Sequence, residues 1–156
     1  MKGQLIFEFI VAGLIFFAIV LYTINYLNVN MSDFSGKFYQ NRLQSKAIQI
    51  AEILVSGESR LSIADDLKFN LSKIQEFNNT YCPPQGNYTK LALDLYLYEK
   101  TDFGIFPNNA KIGLLTEDGS LLLDCGPRIP RNMAKGDIER IGLFQGKFAR
   151  LMVTVW

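Results

Sequence analysis

The stretch from Leu5 to Leu27, LIFEFIVAGLIFFAIVLYTINYL, constrains the fold more than any other part of this chain. Glu8 is its one carboxylate, and the weakly acidic phenols of Tyr22 and Tyr26 are its only other ionisable groups. As a helix rising 1.5 Å per residue it spans roughly 34 Å, enough to cross a hydrocarbon core of about 30 Å. A helix on the surface of a soluble protein carries a polar stripe every three or four residues. This run is apolar all round.

Lys2 is the only basic residue ahead of the run, and no small-x-small cleavage site follows it. The run also exceeds the apolar core of a secretory signal, so it is expected to stay with the protein. Lys2 and the start amine favour a cytoplasmic N-terminus, which puts the remaining residues outside. Two cysteines in that outer part fit an oxidising compartment. About 125 residues lie beyond the span, enough for one domain with a modest core. The formal net charge of +1 and pI near 7.7 give no electrostatic footprint for nucleic acid. The chain has no histidine and so lacks the commonest general base and metal ligand. No nucleophile–base pair is visible. No catalytic residue, cofactor or metal is assigned, and an enzyme is not expected.

Past the span, apolar residues recur at Phe34, Phe38, Ala47, Ile50 and Leu54, with Arg42, Lys46 and Glu52 between them. This spacing predicts an amphipathic continuation of the same helix, from Gln4 to Ser56, stopped by Gly57. Gly36 is a weak point, costing up to about 1 kcal/mol relative to alanine. Leu67, Leu71, Ile74 and Phe77 predict a short second helix with acidic residues at its start. YCPPQGNYT then breaks any regular element. LALDLYLY, residues 91–98, alternates and predicts a half-buried strand. KIGLLTEDGSLLLDC predicts a hairpin turning at Asp118-Gly119, and DIERIGLFQGKFARLMVTVW a second one turning near Gln145-Gly146. Five strands joined by hairpins predict an antiparallel sheet.

Lys2-Gly3, then Gln4, a carboxylate four residues later, an apolar span, an amphipathic helix and a C-terminal sheet thus follow in order. With KGQLIFEF at its head, that order resembles the type IV pilins, specifically archaeal ones with a class III signal peptide. The closing ERIGLFQGKFARLMVTVW is also similar to the last hairpin of archaeal pilin-like proteins. Ile6 stands where the family usually has serine. The resemblance implies cleavage by a prepilin peptidase between Gly3 and Gln4, which makes Glu8 the fifth residue of the mature chain, where pilins carry their glutamate. It implies an α+β fold: a long N-terminal helix, membrane-spanning then amphipathic, packed on the antiparallel sheet. The expected organisation is a leader at 1–3, a transmembrane or filament-core segment at 4–27, its amphipathic continuation at 28–56 and an extracellular globular domain at 57–156. The implied function is that of a structural subunit of an archaeal type IV pilus-like filament serving adhesion or surface attachment. The subunit is held in the membrane by a single pass before assembly and is extracellular afterwards. Its implied partners are further copies of itself through the N-terminal helix, the prepilin peptidase and other pilins. The alternatives are a minor pilin or pseudopilin, for filament initiation or secretion, and a membrane-anchored surface protein that never polymerises. An archaellin is disfavoured, since those subunits lack a glutamate at this place.

Glu8 has a physical reading under each alternative. On a lone anchor it snorkels to the interface at small cost. In a filament it is buried among neighbouring helices and must be paired or protonated. The freed amine of Gln4 on an adjacent subunit is then its expected partner. At about 4 Å and an effective dielectric near 20, that attraction is on the order of 4 kcal/mol.

Cys82 and Cys125, if bridged, close a loop worth roughly 4 kcal/mol in the chain-entropy model. A catalytic thiol or a metal site is the lesser alternative, with no histidine and only two cysteines. Sequons stand at Asn30, Asn70, Asn78 and Asn87. Asn70, Asn78 and Asn87 are candidate glycosylation sites on an outside surface, whereas Asn30 sits on the long helix near the membrane. Asp65-Asp66 and Glu117-Asp118 lack the ligand spacing of a calcium loop and read as a solvated turn or a helix start.

Overall fold

The computed structural model describes residues 2–101 and 104–156, except for the side chains of 2–6, 32–35, 99–101 and 104–106. The elements in order are α1 (Lys2–Val55), β1 (Ala64–Asp65), β2 (Lys68–Phe69), α2 (Leu71–Tyr81), α3 (Tyr88–Asp94), β3 (Tyr98–Thr101), β4 (Gly104–Pro107), β5 (Ala110–Thr116), β6 (Leu121–Cys125), β7 (Gly136–Phe144) and β8 (Lys147–Val155). The chain divides into two compact units, Met1–Tyr39 and Gln40–Trp156. The class is α+β, as expected from the sequence.

Helix α1 runs without a break through Gly36 and ends where the sequence predicts. Gly57 follows at φ 71°, the left-handed backbone that glycine adopts without steric cost. The buried Ser62 hydroxyl accepts the Gly57 N–H at 3.1 Å, and the Ile63 N–H takes the Leu54 carbonyl at 2.8 Å. The helix end is therefore satisfied within the fold. In the second unit Leu43, Ala47, Ile50, Ala51 and Leu54 are buried, which is one helical face. Each of the larger ones contributes about 1.5–3 kcal/mol on burial. Of the apolar positions expected on this face, Ala47, Ile50 and Leu54 are buried and Phe38 is exposed; Phe34 lies outside the described side chains.

That face packs against a sheet whose order is β1-β2-β7-β8-β5-β6. Both predicted hairpins are present. β5 and β6 turn at Asp118-Gly119, where Gly119 has φ 83°. In β7–β8, Phe144 faces Lys147 across Gln145 (φ 51°) and Gly146 (φ 81°). Two central residues at positive φ match the right-handed twist of the strands. Ile112 and Leu114 of β5 stand opposite Val153 and Leu151 of β8, all fully buried. One close approach locks helix to sheet. A Cβ on Gly136, at the start of β7, would fall on the Leu43 carbonyl and the Gln44 nitrogen. Next to it the Gln44 amide donates to the Asp137 carbonyl at 2.7 Å and accepts the Asp137 N–H at 3.1 Å, as a neighbouring strand would. Glu52 and Arg140 form an ion pair farther along the same two elements.

Three expectations are corrected. The sheet is mixed, because β2 pairs parallel with β7 at Lys68 and Leu143, and it has six strands, with β3–β4 a separate pair. The second helix starts at Leu71, because the Asn70 side chain accepts the Ser72 N–H at 3.0 Å and caps it there. Leu67 lies ahead of it at φ 65°, and the acidic residues fall in β1 and the following turn. Finally, most of 91–98 is not a strand. Asn87 caps α3 by accepting the Lys90 N–H at 3.3 Å. Leu91, Ala92 and Leu95 are buried while Leu93 is exposed, which is helical and not alternating burial. The helix closes at Leu95 with paired bonds, Tyr96 N–H to Leu93 O at 3.0 Å and Leu97 N–H to Ala92 O at 2.9 Å. This is a Schellman end, and Tyr96 takes its left-handed position at φ 51°. A side chain with a Cβ costs about 1–2 kcal/mol there.

Candidate membrane and assembly segment

Within the first unit, Leu14, Ile15, Phe16 and Phe17 are 67, 56, 62 and 64 % exposed. At 3.6 residues per turn, four consecutive positions face nearly every direction around a helix. Among the described residues of the first unit, none is buried. Among the described residues, α1 is the one helix long and apolar enough to cross a membrane. Two of its polar side chains bond the helix's own backbone. Thr23 donates to the Ile19 carbonyl and Asn30 to the Tyr26 carbonyl, each at 2.8 Å. Each places one donor on the carbonyl four residues back, the side-chain-to-backbone bond that polar residues make within a helix. Tyr22 and Tyr26 stack one turn apart, 6.3 Å between ring centres. Glu8 is exposed and meets no partner among the described residues. Of Gly3 and Gln4, the expected cleavage pair, the structure describes the backbone, which belongs to α1.

The other predicted site residues lie in the second unit. Cys82 and Cys125 are disulfide-bonded, tying the end of α2 to β6 inside the core. The bond joins the irregular 82–87 segment to β6, the edge strand of the six-stranded sheet. Asn70 and Asn87 are both helix caps, and Asn78 is exposed on α2. Asp65 pairs with Lys73 at 2.6 Å, and that ammonium holds the Asp65 carboxyl below the usual range. The Asp118 carboxylate accepts from the Thr116 hydroxyl and from the Ser120 N–H, which also lowers it. Both acidic pairs thus serve turns. No group of three or more Cys, Asp or Glu able to hold a metal lies among the described residues.

Sequence reasoning missed two features. Tyr88 reaches the end of β5, where its hydroxyl donates to the Ala110 carbonyl at 3.2 Å and accepts the Ala110 N–H at 2.9 Å. A cleft also opens between the 59–62 loop, α2 and α3. Its residues come from three segments and have no shared spacing.

Fold and segment together define an α+β protein whose N-terminal helix meets the length and apolarity of a membrane span. No protein family model matches the chain, and neither a curated protein nor a solved structure does.

Proposed function

We propose that this chain is a pilin: a structural subunit of an archaeal type IV pilus-like extracellular filament. The observation that carries this reading is a helix long and apolar enough to cross a membrane, followed in the chain by a unit with a buried core of its own. Lipid covers such a segment before assembly, and the same segments of other subunits cover it afterwards. A prepilin peptidase cuts between Gly3 and Gln4. Glu8 then pairs with the Gln4 amine of a neighbour and sets the axial register. The domain projects outside, serves adhesion or surface attachment, and carries glycans on Asn70, Asn78 or Asn87. No catalytic role is proposed.

Two measurements test this. The intact mass of protein from cells should correspond to a chain beginning at Gln4, and Gly3→Val should block processing. Glu8→Ala should leave the protein cleaved and membrane-bound with few or no filaments, because the Gln4 amine loses its partner in an apolar surrounding, a loss of several kcal/mol. Electron microscopy of sheared surface material and a membrane blot read both quantities. A chain retaining Met1-Lys2-Gly3 would favour an anchored surface protein; normal filament yield with Glu8→Ala would mean that apolar packing alone sets the register.

A further inference from the structure

The cleft between the 59–62 loop, α2 and α3 has two adjoining lobes of about 450 and 460 Å³ that share Ser59, Arg60, Tyr81 and Lys90. One wall is a single face of α2, from Lys73 through Glu76 to Tyr81; α3 supplies Lys90 and Asp94, and the exposed Tyr96 lines the second lobe. The disulfide at Cys82 fastens the end of that wall to β6, so the site is built on fixed elements. We infer that this cleft binds a neutral saccharide. This goes beyond the filament reading and stands without it, since every residue involved lies in the second unit.

The charges select the ligand class. Lys73 is already paired with Asp65. That leaves two cations, Arg60 and Lys90, and two carboxylates, Glu76 and Asp94, none of them in an ion pair among the described residues. Lys90 lies 5.4 Å from the centre of the Tyr81 ring, and the Tyr81 hydroxyl donates to Asp94 at 3.1 Å, leaving most of that carboxylate free to accept. An anion would meet Glu76 and Asp94 as well as the cations. An apolar ligand would strip water from all four charges and return nothing. A polyol matches both kinds of group, because each of its hydroxyls donates and accepts. Pockets of this volume suit small ligands held by a few convergent polar groups.

Tyr96 supplies an independent reason. It occupies a left-handed backbone position that favours glycine, and its side chain is 80 % exposed. Neither local strain nor burial accounts for a tyrosine there. Strain retained on an exposed residue points to function. An aromatic face at the mouth of a polar cleft is the surface on which the C–H face of a pyranose ring stacks.

The test uses the full chain in a detergent without a sugar headgroup. Maltotriose, cellotriose, chitotriose and mannotriose are titrated by NMR, with a trigalacturonate and inorganic phosphate as charged comparisons. The expected result is saturable binding of at least one neutral trisaccharide below about 10 mM, with shifts confined to 59–62, 73–81 and 90–96. Arg60→Ala should weaken it at least about tenfold. Tyr96→Gly should weaken it similarly while raising the melting temperature, since glycine relieves the backbone. That opposite movement separates a binding residue from a structural one. No neutral trisaccharide binding, tighter binding of the charged probes, or unchanged affinity in both variants would overturn the inference.

Discussion

Replacing Tyr88 by phenylalanine removes one oxygen and should cost far more than its size suggests. The hydroxyl is the partner of both backbone groups of Ala110, past the last β6 pairing, at 3.2 and 2.9 Å. Ala110 is 0 % exposed, so neither group has solvent to turn to. An orphaned buried donor or acceptor costs about 1–3 kcal/mol, and the two together are expected to cost about 2–4 kcal/mol after partial relaxation. For a domain near 100 residues that lowers the melting temperature by roughly 10–20 °C. The chain has one tryptophan, Trp156, which is buried and exchanges both backbone hydrogen bonds with Asn109, next to Ala110. Its fluorescence therefore reports on this corner during thermal unfolding. Tyr96→Phe removes an equivalent oxygen from an exposed ring and should change stability by less than about 0.5 kcal/mol. The pH dependence adds a second readout. Burial raises the Tyr88 phenol above its ordinary value, more than the Ala110 hydrogen bond lowers it. A phenol whose folded value is raised leaves stability intact below the unfolded value of about 10 and erodes it as pH climbs through the folded one. Tyr88→Phe should flatten that alkaline loss. If it proves no more destabilising than Tyr96→Phe, water satisfies Ala110 and the reasoning fails.

Three further outcomes are expected. Serine at both Cys82 and Cys125 should cost about 4 kcal/mol, read as a denaturant midpoint that reducing agent lowers in the native protein but not in the variant. Gly136→Ala should lose about 1–3 kcal/mol because its methyl meets the α1 backbone, whereas Gly113→Ala, whose Cβ has only ordinary contacts at 3.5 Å or more, should be nearly neutral in the same melt. Asp65 is held low by Lys73, so its contribution is present above the ordinary carboxylate range and is lost as pH falls through the folded value. Asp65→Asn should therefore show a shallower acid loss in urea midpoints measured at pH 5 and pH 3.

The two C-terminal hairpins were legible because turn and alternation agreed. Asp118-Gly119 and Gln145-Gly146 stand between runs whose inward residues, Ile112 and Leu114, then Leu151, Val153 and Val155, are all buried. β1 and β2 have two residues each, too few for any period to register. LALDLYLY misled because its leucines satisfy period two, while 91, 92 and 95 also lie on one helical face. The run has no β-branched residue, leucine is a good helix former, and Asn87 stands one residue ahead of the helix. Those three signals together favoured the helix that forms. The cleft residues were not legible, because 59–62, 73–81 and 90–96 meet only once the chain has folded.

α1 obeys two rules along one uninterrupted helix, and the change of rule lies between Tyr39 and Leu43. From Leu43 onward an apolar residue is buried when it lies on the helix face toward the sheet, as Ala47, Ile50 and Leu54 do, and the Ile48 between them is exposed. Before Tyr39 that selection disappears: Phe9, Leu14, Phe17 and Leu21 are exposed although they are as apolar as the core. Hydrophobic burial within the chain explains the second part completely and the first part not at all. An uncovered apolar surface of this extent marks contact with a membrane or another protein. The apolar run of the first unit has the length and apolarity of a membrane span, and that property, not packing into a core of its own, distinguishes it from the part beyond Leu43.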